Sequence, residues 1–161
     1  MRSHRPLLSL SLISLLPLAL ACATTPSPAS TSAAGEGAGA SASAPTSFAD
    51  QVAAGQALYG KHCADCHGDA GEGGSKAPRV VGMKEGALPL DPPAERKFRK
   101  ERFVTVADVA GFTVANMPPK KGGSLPAADY WAILAFDLHA NGIDLPGPLT
   151  PEVAATLTIP R

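Results

Sequence analysis

Apolar positions in this chain form one dense block near the start and short helical stripes further on. The block runs from Leu7 to Leu20, follows Arg2 and Arg5, and ends at Ala21-Cys22. At about 14 residues it is short for a hydrocarbon core of roughly 30 Å, but it suits the centre of a signal peptide. The pattern then vanishes. Residues 23–47 are almost entirely Ala, Ser, Thr, Pro and Gly, with Glu36 as the one charge. Such a segment buries too little to offset its ordering entropy, so it reads as a flexible linker.

Helical periodicity begins near Phe48. Asp50 is placed to cap a helix running from Gln51 to Cys66, with Val52, Gly55, Leu58 and Tyr59 on one face. Gly68 to Gly86 is rich in Gly, Lys and Pro and reads as loop. Thr105 is placed to cap a second helix, Val106 to Asn116, with Val106, Val109, Ala110 and Val114 on one side. Pro118 and Pro119 stop it. Pro126 leads a third helix to about Ala140, with a broad stripe of Ile133, Leu134, Phe136 and Leu138, ended by Asn141-Gly142. Residues 143–161 carry Pro146, Pro148, Pro151 and Pro160 and little period, so they read as a tail. No strand pattern or internal repeat appears. The expectation is a small all-α domain over 48–142, with three to four helices.

The chain has 161 residues, with Lys+Arg 14 balancing Asp+Glu 14. Loss of residues 1–21 would remove Arg2 and Arg5 and no acid, leaving a net charge of −2. Neither balance offers the excess of cations that nucleic-acid binding needs. Three cysteines, Cys22, Cys63 and Cys66, are too few for a disulfide framework. Aromatics make up only 5% of residues. So few large rings make a thin core unless a cofactor completes it.

Residues 63–67 read Cys-Ala-Asp-Cys-His, the covalent attachment signature of c-type haem. The chemistry explains the spacing. One helical turn between Cys63 and Cys66 lets both sulfurs reach the two vinyl groups on one porphyrin edge, and His67 follows at once to meet the iron. Three other readings exist: a redox dithiol, half of a zinc site and a plain disulfide. The first lacks a βαβ context, and the second lacks further ligands at a known spacing. The third suits an exported protein.

With these residues in view, 48–142 resembles the class I cytochromes c. Gly55, Leu58, Tyr59 and the haem motif are similar to that family's first helix. Ala77-Pro78-Arg79-Val80-Val81-Gly82 is similar to its Pro-x-apolar-x-Gly loop. The resemblance implies that the Pro78 carbonyl holds His67 Nδ1, a contact that fixes ring orientation. From Asn116-Met117-Pro118-Pro119 to Asn141-Gly142, the chain is similar to cytochrome domains attached to quinoprotein alcohol dehydrogenases. Crossed terminal helices are also implied, with Ile133 and Phe136 against Gly55 and Tyr59. Four side chains are candidates for the sixth iron ligand. His62 adjoins the motif and cannot reach the opposite face. His139 lies late on the third helix, at its expected exposed edge. Met83 stands in a loop, where it could pack on the haem edge. Met117 precedes two prolines that stiffen its loop, and the family places its methionine ligand in this Met-Pro setting.

Leu18-Ala19-Leu20-Ala21-Cys22 resembles the lipobox of bacterial lipoproteins, although Ala19 stands where that family more often has Leu. The resemblance implies a lipid on Cys22, with 22–47 as anchor and tether. Ala23 rather than Asp after Cys22 favours the outer membrane. The functional expectation is a membrane-tethered monohaem electron carrier, monomeric and not an enzyme, that faces the periplasm. It would carry one covalent haem c and exchange electrons with a redox protein donor and acceptor. The basic run Arg96 to Arg102 is a candidate docking or propionate-contacting patch. Trp131 is a second candidate for a propionate contact. One rival function is a haem protein with an open distal site that binds or senses a small ligand. Another is a disulfide-bonded lipoprotein without haem.

Overall fold

The computed structural model describes residues 44–92, 94 and 99–160. The expected signal peptide, Cys22 and most of the linker lie outside the described residues, as do residues 96–98 of the basic run. Five α-helices follow in order: α1 (Phe48–His62), α2 (Ala64–His67), α3 (Val106–Asn116), α4 (Ala127–Ala140) and α5 (Pro151–Thr156). A single 3-10 turn spans Met83–Glu85. The described residues contain no strand, only one isolated antiparallel bridge between Thr105 and Thr158. The all-α expectation holds.

Each helix starts for a local reason. Ser47, not Asp50, caps α1: its hydroxyl accepts the Asp50 N–H at 3.1 Å. The Asp50 carboxylate in turn accepts the Ser47 hydroxyl at 2.6 Å. Those hydroxyl bonds, led by Ser47, hold the Asp50 carboxyl below its usual range. At α3 the Asp108 carboxylate accepts the Thr105 N–H at 2.8 Å, the reciprocal half of a capping box. Pro126 begins α4 and Gly142, at φ 79°, ends it.

The molecule is organised by the crossing of α1 over α4. Gly55 makes it possible, because a Cβ there would lie 1.8 Å from the Ala132 carbonyl oxygen. Next to this contact Tyr59 meets Phe136 with ring centroids 5.0 Å apart. The expected pairing of Gly55 and Tyr59 with the third predicted helix is therefore present. A core of Phe48, Phe103, Val106, Leu134, Ala135, Leu138, Leu149 and Ile159 fills the space between α1, α3, α4 and the C-terminal segment.

That segment differs from the sequence expectation. The 143–161 stretch is expected to be a tail, but its described residues, 143–160, fold against the helices and add α5. Its prolines frame the segment without unfolding it: Thr150 caps α5 and Pro151 takes the first turn, where the missing N–H costs nothing. Gln51 is the fastener. Its amide donates to the Leu149 carbonyl at 3.0 Å and accepts the Leu149 N–H at 2.7 Å, all buried. Ile159 N–H then bonds Val104 O at 3.0 Å, and Val106 N–H bonds Leu157 O at 2.9 Å.

Candidate haem site

The chain stays helical through the Cys-Ala-Asp-Cys-His motif, with one kink at Cys63. Cys63 N–H bonds Tyr59 O at 2.8 Å, and His67 N–H bonds Cys63 O at 3.0 Å. The expected single helix to Cys66 is thus two, α1 and α2, joined at the first cysteine. Cys63 and Cys66 are free thiols one turn apart, both half-buried. Burial, then the nearby Asp137 carboxylate, then Cys66, push the Cys63 thiol up to about 12. The sulfur is therefore neutral and suited to an apolar cofactor edge. Among the described residues no three His, Cys, Asp or Glu side chains gather as a metal cluster.

His67 Nδ1 lies 2.8 Å from the Pro78 carbonyl oxygen. A carbonyl can only accept, so Nδ1 donates, and in the neutral imidazole the lone pair lies on Nε2. The His67–Pro78 loop is tied down from several sides. Tyr59 hydroxyl donates to Gly68 O at 3.0 Å. Val80 and Val81 N–H both bond Gly71 O, at 2.8 and 3.0 Å. A further tie comes from the C-terminal cap of α4: Asn141 donates to Val80 O at 3.0 Å and accepts Gly82 N–H at 2.9 Å.

Met117 caps the C-terminal end of α3, and its N–H bonds Thr113 O at 2.8 Å. The Met117-Pro118 peptide is cis. The loop turns back on α3 through Gly123 N–H to Val114 O at 2.7 Å. Gly122 must be small here, since a Cβ would lie 2.1 Å from Ala115 O. Here too α4 supplies the tie. The buried Tyr130 donates its hydroxyl to Met117 O at 2.7 Å.

The other candidates fall elsewhere. Met83 is half-buried and packs against the core. His62 ends α1 beside the motif, and its ring is not brought to the Met117 segment by any described contact. His139 is exposed and bonds Asp144 at 2.6 Å. Trp131 is half-buried against the core. Arg99 does not belong to a docking patch. It is 5% exposed and donates to the carbonyls of Pro89, Leu90, Asp91 and Glu101 while covering the Phe103 ring at 3.9 Å. Arg102 is exposed and pairs with Asp91 at 3.2 Å.

Sequence reasoning missed three residues. Asn141 was read only as a helix stop, and nothing local marks a side chain that bridges to residues about 60 positions away. Arg99 was hidden in a run of cations. Asp137 left a visible signal, a carboxylate inside the apolar stripe of α4. Its Oδ1 is buried with no hydrogen-bond partner among the described residues.

A helical attachment motif, a histidine oriented by a proline carbonyl and a methionine loop hung from α4 define a class I c-type cytochrome domain. The family model for cytochrome c oxidase, cbb3-type, subunit III matches residues 50–136, and the chain belongs to that family. Domains of this kind carry covalently attached haem c, and Cys63 and Cys66 stand at the attachment positions. The thiosulfate dehydrogenase of Stutzerimonas stutzeri (strain A1501) is 34% identical over 91 residues, covering 53% of this chain and 26% of that protein. The sulfane dehydrogenase SoxCD of Paracoccus pantotrophus is 28% identical, with a TM-score of 0.49, over 68% of this chain and 53% of that one. The chain thus spans about a quarter of the first relative's length and about half of the second's. The domain is an electron-transfer module that works through haem.

Proposed function

We propose that this protein is a tethered monohaem electron carrier whose iron is held by His67 and Met117. The observation that carries this reading is the 2.8 Å contact between His67 Nδ1 and Pro78 O. It leaves Nε2 free and aims the ring, as a carbonyl behind a metal-bound imidazole does. Cys63 and Cys66 would hold the porphyrin, and Met117 would supply sulfur on the opposite side. Haem supplies a one-electron Fe(III)/Fe(II) couple, and a sulfur ligand favours the reduced state. With His67 and Met117 both as ligands, the iron would keep no open position for a substrate, and the protein would be a carrier and not itself an enzyme. The activity named for the curated relative belongs to a protein of which this chain matches about a quarter, so here the domain passes electrons to or from such an oxidoreductase.

Cys22 would carry a lipid and 22–47 would act as a tether, placing the domain in the bacterial envelope, facing the periplasm, with the outer membrane favoured by Ala23. The protein works as a monomer. Among the described residues no helix is long and apolar enough to cross a membrane.

The test is the visible spectrum of the matured protein, oxidised and reduced. A low-spin spectrum with a weak sulfur-to-iron band, lost in Met117→Ala and kept in Met83→Ala, is the expected result. A high-spin spectrum that shifts with carbon monoxide would mean an open distal site and would overturn the Met117 assignment. Labelled fatty acid incorporated into wild type but not into Cys22→Ser tests the anchor.

A further inference from the structure

Asp137 has no part in the site as described, yet it sits at its edge. It lies on α4 one turn before Asn141, which grips Val80 and Gly82 in the loop that orients His67. Its charge reaches Cys63, one of the two attachment cysteines. The residue as a whole is half-buried, so solvent approaches it, while Oδ1 is sealed and unpartnered. It lines a small cavity of about 20 Å³ whose other walls are apolar, including Leu88, Val106, Val109, Leu134 and Ile143. That volume admits about one water molecule.

On the 68–82 loop that Asn141 grips, Asp69 and Glu72 are exposed, and the half-buried Arg79 guanidinium donates to Val81 O at 3.0 Å. From α1 only the Tyr59 hydroxyl and the Cys63 sulfur come near, and Tyr59 already donates to Gly68 O. On the 83–85 turn Lys84 and Glu85 are exposed. On α3, Asp108 is exposed and bonded at its own cap. On α4 itself His139 is exposed and bonded to Asp144. In the C-terminal segment Glu152 is exposed. Desolvation alone pushes the carboxyl up to about 8. A carboxylate in such a place has its charge poorly screened and strongly coupled to any charge change beside it.

We propose that Asp137 is a positioning residue for the haem's redox chemistry, a buried proton acceptor whose protonation is coupled to the electron. The proposal rests on the haem electron-carrier reading above. When a redox protein delivers one electron, the local positive charge falls by one. The Asp137 carboxylate then accepts one proton from solvent water and becomes a carboxylic acid. When the electron leaves, the O–H bond breaks and the proton returns to water. One electron and one proton enter together and leave together.

The test is the midpoint potential of the mature haem protein from pH 5 to pH 10, by optical titration, for wild type, Asp137→Asn and Asp137→Glu. In wild type the reduction equilibrium should weaken towards tenfold per pH unit over a window near pH 8, which is about 59 mV per unit for one electron. Asp137→Asn should remove that limb, and Asp137→Glu should keep it at a displaced pH. A limb that survives in Asp137→Asn places the proton elsewhere and overturns the proposal, as does a flat wild-type profile. Reduced-minus-oxidised infrared spectra of wild type need no variant: a protonated carboxyl C=O band gained on reduction supports the proposal, and its absence refutes it. A chain that takes up no haem overturns this and the electron-carrier reading together, whereas a low-spin haem protein with a flat potential overturns this alone.

Discussion

Gly55→Ala and Gly60→Ala place the same methyl group on the same helix and should have opposite effects. At Gly55 the new Cβ would lie 1.8 Å from Ala132 O and 2.5 Å from Ala132 C. Both neighbours are backbone atoms of α4 and cannot swing aside. Carbon contacts are comfortable at about 3.5–4.0 Å, so the helices must part by more than about 1 Å, and a gap of that size forfeits up to about half of each contact's attraction. Tyr59 on Phe136 and the buried Ile133 lie in this seam. Overpacking costs about 1–3 kcal/mol before the lost contacts are counted, and the better helix propensity of alanine returns about 1 kcal/mol. The expected net loss is about 3 kcal/mol. At Gly60 no atom lies within 4 Å of the new Cβ, so only the propensity gain remains, about 0.5–1 kcal/mol. Guanidinium unfolding of the haem-loaded protein, followed by far-UV circular dichroism, reads both. A 3 kcal/mol loss lowers the midpoint by about 1 M, and Gly60→Ala should raise it slightly. An unchanged or raised midpoint in Gly55→Ala would refute the close-crossing argument. So would an equal fall in Gly60→Ala.

Three further outcomes are expected. Asn141→Ala strands Val80 O and Gly82 N–H, so it should cost about 2 kcal/mol in urea unfolding and speed amide exchange of Gly82. Arg99→Lys cannot reproduce a planar fork aimed at several carbonyls, so it should lose about 2 kcal/mol and open residues 89–101 to limited proteolysis. The Asp137 pKa is raised from 3.8 to about 8, so the folded state holds that proton more tightly than the unfolded one. Its stabilisation is complete below about pH 4 and is lost as pH rises through 8, at up to about 1.36 kcal/mol per unit; thermal unfolding against pH should show this slope in wild type and not in Asp137→Asn.

Much of this was legible in the sequence because it rests on local rules. Pro118, Pro126 and Gly142 punctuate the helices, and the spacing of Gly55 and Tyr59 marks a packed face. The Cys63, Cys66 and His67 spacing names its cofactor without any fold. What escaped depends on partners far apart in sequence. Gln51 looks like an ordinary polar helix residue until Leu149 meets it, so 143–161 reads as a tail. Prolines in that segment suggest disorder, but Pro151 occupies a helix first turn where it is harmless. Arg99 is read as surface charge because its partners are carbonyls, which no composition reveals. Ser47 took the cap from Asp50 because the two form one reciprocal pair, and either end of such a pair looks like a cap from the sequence alone.

Both segments proposed to grip the iron are fastened to a single beam. Tyr130, at the start of α4, holds Met117 by its carbonyl, and Asn141, at its end, holds the loop beyond Pro78. The two anchor points are separated by about 16 Å of hydrogen-bonded helix, at 1.5 Å per residue. Moving one axial group relative to the other would mean stretching or bending that rod, not swinging a loop. An iron held by these two segments would keep nearly the same ligands in both oxidation states, so little nuclear rearrangement would accompany the electron. A carrier built this way would draw its low rearrangement from the stiffness of one helix and not from the loops that helix holds.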